Sequence, residues 1–257
     1  EEFRWLGAVT SPQRDLDVYL LEFERYESLV HPSTRDDLAP LQSYLVTERT
    51  LAFLAVQKAL QSERYRNLVD AWSLYLQHED LQGESKQALK PARKVVSATI
   101  WKTYLATLQE GGAIHGDTPA EALHDLRKTC KKLRYLLEAF ASLYDREVMA
   151  QLIKQLKRLQ NVLGTFQDLE VHVTALRSYG FAMSEKGLAS PAVLMAMGEL
   201  MGRLEDQRLL TRAKFADAFE VFAGIELTTM AESQFKPAKE PKKGRSNKGS
   251  SKKGKGK

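Results

Sequence analysis

Six basic side chains crowd into the eleven residues HDLRKTCKKLR: His124, Arg127, Lys128, Lys131, Lys132 and Arg134. His124, Arg127, Lys131 and Arg134 recur at intervals of three and four, so on an α-helix they share one edge. A guanidinium offers a planar fork of donors and an ammonium a compact point charge, and both suit phosphate or carboxylate oxygens. Like charges at this pitch repel one another by about 0.2–0.5 kcal/mol per pair, and only Asp125 and Glu138 stand close enough in sequence to offset them. A solvated helix face would carry such charges without further purpose. An external polyanion would relieve the repulsion better, however, and a single phosphate would not need so many donors. The chemistry these residues point to is binding of an extended polyanion. Tyr135 could orient a donor, and Lys94, Lys102, Arg208 and Arg212 form a second tier of cations on other segments.

Catalysis has less to stand on. His124-Asp125 superficially matches the His-Asp pair of helical metal-dependent phosphohydrolases. Adjacent helix positions point about 100° apart, so the two would not share an ion, and such sites need further ligands converging on the metal. His31, His78, His115 and His172 show no paired spacing. The expectation is a non-enzyme without catalytic residues, metal ligands or cofactor.

The segment that must position the cations runs from Thr118 to Phe140. Thr118-Pro119-Ala120-Glu121 has the form of a capping box with proline at the first helical position. Leu123, Leu126, Cys130, Leu133, Leu137 and Phe140 recur at three and four, which makes one apolar stripe to be buried opposite the charge.

His124-x-x-Arg127-x-x-x-Lys131-x-x-Arg134-Tyr135-x-x-Glu138 resembles the signature helix of the conserved histidine α-helical domain, CHAD. Downstream, Leu156-x-x-Leu159-Gln160-x-x-Leu163-Gly164-x-x-x-Asp168 is similar to the segment that follows it in that family. The resemblance implies an all-helical domain of two similar four-helix halves, with a basic surface between them that binds inorganic polyphosphate. The residues alone reach only a polyanion.

Elsewhere the 257 residues, 43% hydrophobic, are enough for one large or two small domains. A single cysteine excludes an internal disulfide framework and a cysteine zinc site, and is read as core in a reduced, cytoplasmic protein. No apolar run approaches the roughly 20 residues that span a bilayer. Alternating strand patterns and glycine-rich nucleotide signatures are lacking, so the fold class is all-α: two pseudo-symmetric antiparallel helical bundles.

Ser11-Pro12 predicts a helix from about 12 to 29, and Leu41, Leu45, Leu51, Leu54 and Leu60 predict another. Leu68, Trp72 and Tyr75 mark a third, and both of these last two helices read as facing the core. The stretch 85–108 is helical with Pro91 at a kink or first turn, and the glycines at 111, 112 and 116 read as a boundary loop. Asp145 caps a helix that Gly164 should end, Thr165 with Asp168 resembles a weaker cap for the next, and Ser190-Pro191 opens the last long helix, to about Gly224.

Leu6, Val9, Asp15 and Leu16 align without a gap with Leu159, Val162, Asp168 and Leu169, 153 positions on. Leu68, Asp70, Ala71 and Trp72 align with Phe215, Asp217, Ala218 and Phe219 at an offset of 147. Two matches in one order indicate an internal duplication. The expected division is a domain over 1–233, with halves 1–110 and 117–233, the first half lacking its leading helix upstream of Glu1.

The remaining residues, 234–257, form a Lys/Gly/Ser-rich tail expected to be disordered. Its ten Lys or Arg and one Glu from Lys236 onward give +9, which against the chain's +5 leaves the rest at −4. The cationic helix is thus out of sign with its own body. The functional expectation is polyphosphate binding and association with polyphosphate granules, and the alternative is nucleic-acid binding through tail and basic helix.

Overall fold

A computed structural model describes residues 1–77 and 90–237. The expected disorder of the basic tail falls outside the described residues, apart from Lys236 and Pro237. Within them the chain is all-α, as the sequence predicts, and contains no strand. Its helices are α1 (Glu2–Leu21), α2 (Phe23–Leu29), α3 (Ala39–Leu60), α4 (Glu63–Gln77), α5 (Ala92–Gly112), α6 (Ala120–Ala139), α7 (Arg146–Glu185), α8 (Pro191–Ala223) and α9 (Ile225–Phe235). No described helix is long and apolar enough to cross a membrane.

The spine is the antiparallel hairpin of α7 and α8, whose 40 and 33 residues make rods of about 60 and 50 Å at 1.5 Å per residue. Each rod serves two cores. In one, the α6 stripe packs with Leu152, Leu156, Leu159 and Leu163 of α7, Ile100 and Tyr104 of α5, Phe215 and Phe222 of α8 and Leu227 of α9. In the other, Leu16 and Tyr19 of α1, Phe23 and Tyr26 of α2 and Leu41 and Leu45 of α3 pack with Leu169, Leu176 and Met183 of α7 and Leu200 and Leu204 of α8. Leu16 and Leu169, paired by the internal repeat, are buried in this same core.

Asp145 caps α7, its Oδ1 accepting from the N–H groups of Glu147 and Val148, and Ser190 caps α8 through Val193 N–H. Other punctuation signals lose to packing. Gly164 does not end a helix, nor do Thr165 and Asp168 open one. Leu163 and Phe166, on either side of the glycine, are each 1% exposed, and burying them outweighs the roughly 0.5–1 kcal/mol that glycine costs inside a helix. The glycine that stops α7 is Gly187, at φ 68°, with the Gly187 N–H on Ser184 O and the Leu188 N–H on Met183 O, a Schellman cap.

Pro12 lies inside α1 instead of opening it, and the Ser11 hydroxyl, expected as a cap, donates back to Gly7 O at 2.7 Å. The predicted 12–29 helix breaks at Glu22, although Tyr19, Phe23 and Tyr26 continue one buried stripe across the break. His172 of α7 joins that stripe through a hydrogen bond to the Tyr26 hydroxyl, and burial lowers its pKa while raising that of Tyr26 to about 12.

The inward faces expected of α3 and α4 are only partly so. Leu41, Leu45 and Leu68 are buried, whereas Leu51, Leu54, Leu60, Trp72 and Tyr75 are exposed. The far end of α3 meets α1 and α4 rather than the hairpin, so no second layer covers these side chains among the described residues.

Nor do the glycines at 111 and 112 form a loop, for α5 runs through both. Gly111 is required by contact. A Cβ there would stand 2.0 Å from Cε2 of Phe219, whose ring stacks on Phe215 with centroids 5.6 Å apart, while a Cβ at Gly112 meets nothing within 4 Å. Gly111→Ala should therefore lower stability by about 1–3 kcal/mol. Gly112→Ala should leave it unchanged or raise it by up to about 1 kcal/mol; thermal melting of the pair checks the contrast.

Candidate functional site

The helix that carries the cations begins one residue later than predicted, at Ala120. Pro119 is the N-terminal flanking residue, and the Thr118 hydroxyl accepts from His115 N–H at 2.8 Å, so no capping box forms with Glu121. The preceding loop is instead held by Arg212, whose Nη2 donates to the carbonyls of His115 and Thr118. From there the stripe is realised as predicted: Leu123, Leu126, Cys130, Leu133 and Leu137 are at most 2% exposed. Burial pushes the Cys130 thiol up to about 12, which leaves it a core side chain.

Burial of that stripe sets the edge His124, Arg127, Lys131, Arg134 against α7, running antiparallel. His124 Nδ1–H donates to Gln167 Oε1 at 2.8 Å, which leaves Nε2 as the ring atom turned to a ligand. Three residues along α6 and three back along α7, Arg127 lies over Gly164, where an added Cβ would be 3.9 Å from its Nε. Further along, Arg134 of α6 and Lys157 of α7 meet at the Glu138 carboxylate, whereas Lys131 borders the hollow of Lys128 and Lys132. Lys157 Nζ closes this end at 3.1 Å from Glu138 Oε1.

The result is an α6–α7 groove flanked by Arg127 and Arg134 on one side and Lys157 on the other, with Gly164 beneath Arg127. Two of its donors have no partner: Arg134 Nε and Gln160 Nε2 are buried and make no hydrogen bond among the described residues. Buried polar groups are nearly always satisfied, and a donor left unpaired costs about 1–3 kcal/mol.

Residues 1–177, well over half of the chain, match the CHAD domain. The chain belongs to the CHAD domain family. Polyphosphate binding is a general property of that family, and both groove walls, α6 and the first part of α7, lie within the matched residues. Comparison with curated proteins finds no match.

The remaining basic residues of this CHAD domain fall into three groups. Lys128 and Lys132 are exposed on the outer side of α6, where Lys128 pairs with Asp125 at 2.6 Å and holds that carboxyl below its ordinary pKa. Lys131 and Tyr135 share a shallow hollow with them. Lys94 and Lys102 are exposed on α5, outside the α6–α7 pairing. Arg208 is engaged elsewhere, making two hydrogen bonds to the Glu205 carboxylate and lying 5.3 Å over the Phe166 ring, just as Arg212 is engaged with loop carbonyls.

At the His124 end the sign changes. Glu121, Asp125 and Glu170 line the hollow that His124 and Gln167 share, so the basic row is bounded by carboxylates there. Among the described residues, no three His, Cys, Asp or Glu side chains are grouped so as to hold a metal.

Sequence reasoning missed the α7 wall. Lys157, Gln160 and Gln167 sit at three- and seven-residue intervals in QLKRLQNVLGTFQ, between the leucines of the core stripe. That polar face was legible in the sequence, but not the helix it would oppose. Arg127→Glu combined with Lys131→Glu should weaken binding of long-chain polyphosphate at least about tenfold, since each charge-assisted hydrogen bond contributes about 1.5–3 kcal/mol. Helix content by circular dichroism should stay unchanged. Leu133→Ala, at a position 0% exposed, should do the reverse, losing about 2–5 kcal/mol of stability while the folded fraction still binds.

Proposed function

We propose that this CHAD domain is a non-catalytic module that holds inorganic polyphosphate along the α6–α7 groove. Arg127, Lys131 and Arg134 are the principal donors on one wall, Lys157 and Gln160 supply the other, and His124 stands at the acidic boundary. Lys128 and Lys132 contribute from the outer row. The observation that carries this reading is the cationic edge of α6 set along α7, with Arg127 over Gly164 and both Arg134 and Lys157 drawn to the Glu138 carboxylate. Cations held in place by the packing of their helix lose little side-chain entropy when phosphate oxygens reach them.

Chemistry favours a dense, unbranched polyanion. Phosphates in inorganic polyphosphate follow one another without intervening sugars, whereas duplex DNA spreads about one charge per 1.7 Å of axis over two strands. The groove also lacks the aromatic platforms on which single-stranded bases stack. Tyr135, beside Arg134, is exposed on the outer side, with the guanidinium 5.3 Å from its ring. Binding of this kind would bring the protein to polyphosphate granules.

The test is a titration with long-chain polyphosphate, RNA and DNA at equal phosphate concentration and equal salt, on the full chain and on a chain ending at Pro237. Polyphosphate should bind the truncated chain well and the nucleic acids should bind it weakly, with removal of the tail flattening the dependence of affinity on salt. Equal binding of all three by the truncated chain would favour a nucleic-acid function, and loss of all binding even at low salt would transfer the site to the tail.

A further inference from the structure

Glu138 places a carboxylate between the two walls of the groove, 3.1 Å from Lys157 Nζ and 3.9 Å from Arg134 Nε. It forms a close ion pair with the first and stays beyond hydrogen-bonding distance of the second, whose Nε remains buried and unpartnered. The carboxylate thus occupies, imperfectly, the position from which an anionic oxygen could bridge both cations. All three side chains are partly open to solvent, with 29% exposure for Arg134, 39% for Glu138 and 51% for Lys157, so a ligand can reach the Lys157 ammonium, the Glu138 carboxylate and the open part of the Arg134 guanidinium, whose Nε itself stays enclosed.

We propose that Glu138 is a built-in competitor that gives the groove a minimum ligand length. The inference rests on the reading of the groove as a polyphosphate site and names what that site selects. Any phosphate entering between Arg134 and Lys157 must displace a carboxylate tethered to the same helix, and must then sit near its charge. A short phosphate makes one or two contacts and faces this competitor at high effective concentration. A long chain already seated on Arg127 and Lys131 presents its next phosphate at a comparable effective concentration. The span from Arg127 to Arg134 is seven residues, about 10 Å of helix, so only a chain of several phosphates gains this advantage.

The experiment compares Glu138→Gln with the wild-type chain, measuring affinity for inorganic tripolyphosphate and for long-chain polyphosphate at one salt concentration. Glu185→Gln, which removes the same charge at the far end of α7, is the control for long-range electrostatics. The expected result is a gain of about two- to fivefold for tripolyphosphate in Glu138→Gln, the range that follows from releasing one exposed ion pair. Long-chain polyphosphate should gain less, so that the preference for long over short narrows, and Glu185→Gln should narrow it not at all. Equal gains for both lengths, the same change in Glu185→Gln, or a loss of affinity would overturn the proposal; the last would make Glu138 a positioning residue for its cations. Failure of the wild-type chain to bind long-chain polyphosphate would overturn the groove reading itself, and this inference with it.

Discussion

Burial of five α6 side chains against α7 is the constraint from which the site follows. Leu123, Leu126, Cys130, Leu133 and Leu137 are enclosed by Leu152, Leu156, Leu159 and Leu163, together with side chains of α5, α8 and α9. A helix rotated by one residue would turn its stripe by about 100° and expose several leucines, each contributing roughly 1.5–3 kcal/mol when buried. The rotation of α6 is therefore fixed by its core side, which sets His124 beside Gln167, Arg127 over Gly164 and Arg134 at the Glu138 carboxylate that Lys157 shares. Cations that would avoid one another in solution are held together by hydrophobic burial elsewhere on the same helix.

That forced proximity gives the groove its character. Within the pairing, Glu138 relieves the repulsion and Gln167 accepts from His124, while Arg134 Nε and Gln160 Nε2 still lack partners among the described residues. The α7 backbone passes beneath Arg127 at Gly164, where an added Cβ would make ordinary contact with the guanidinium at 3.9 Å. Gly164 is thus a helical position beneath Arg127 rather than a stop. The long α7 is what makes this arrangement rigid, since the same helix continues past the groove into the second core and is anchored there by Leu169, Leu176 and Met183.

Much of this was legible from local pattern. The α6 stripe and its charged edge, the Asp145 and Ser190 caps and the all-helical class follow from periodicity and capping chemistry, which act within a few residues. What escaped depends on partners far away in sequence. Gly164 and Gly187 have the same local signature, and only tertiary burial of Leu163 and Phe166 decides that the second one ends α7. Thr118 looks like a cap until Arg212, 94 residues on, takes hold of its carbonyl and its hydroxyl is turned to His115. Leu51, Leu54 and Trp72 have core periodicity and yet remain exposed, because periodicity tells which side chains share a face and not whether another element reaches it. The same limit applied to the site: one wall could be read from α6, whereas Lys157 and Gln160 became meaningful only once α7 lay beside it.

The central claim is that the ligand lies in the α6–α7 groove, and lysine footprinting tests it most directly. The full-length chain is acetylated with and without long-chain polyphosphate, and each lysine is quantified by mass spectrometry. The account predicts strong protection of Lys131 and Lys157, weaker protection of Lys128 and Lys132, and none at Lys94 or Lys102. Equal reactivity of Lys131 and Lys157 with and without the ligand, or protection confined to the lysines beyond Pro237, would contradict it.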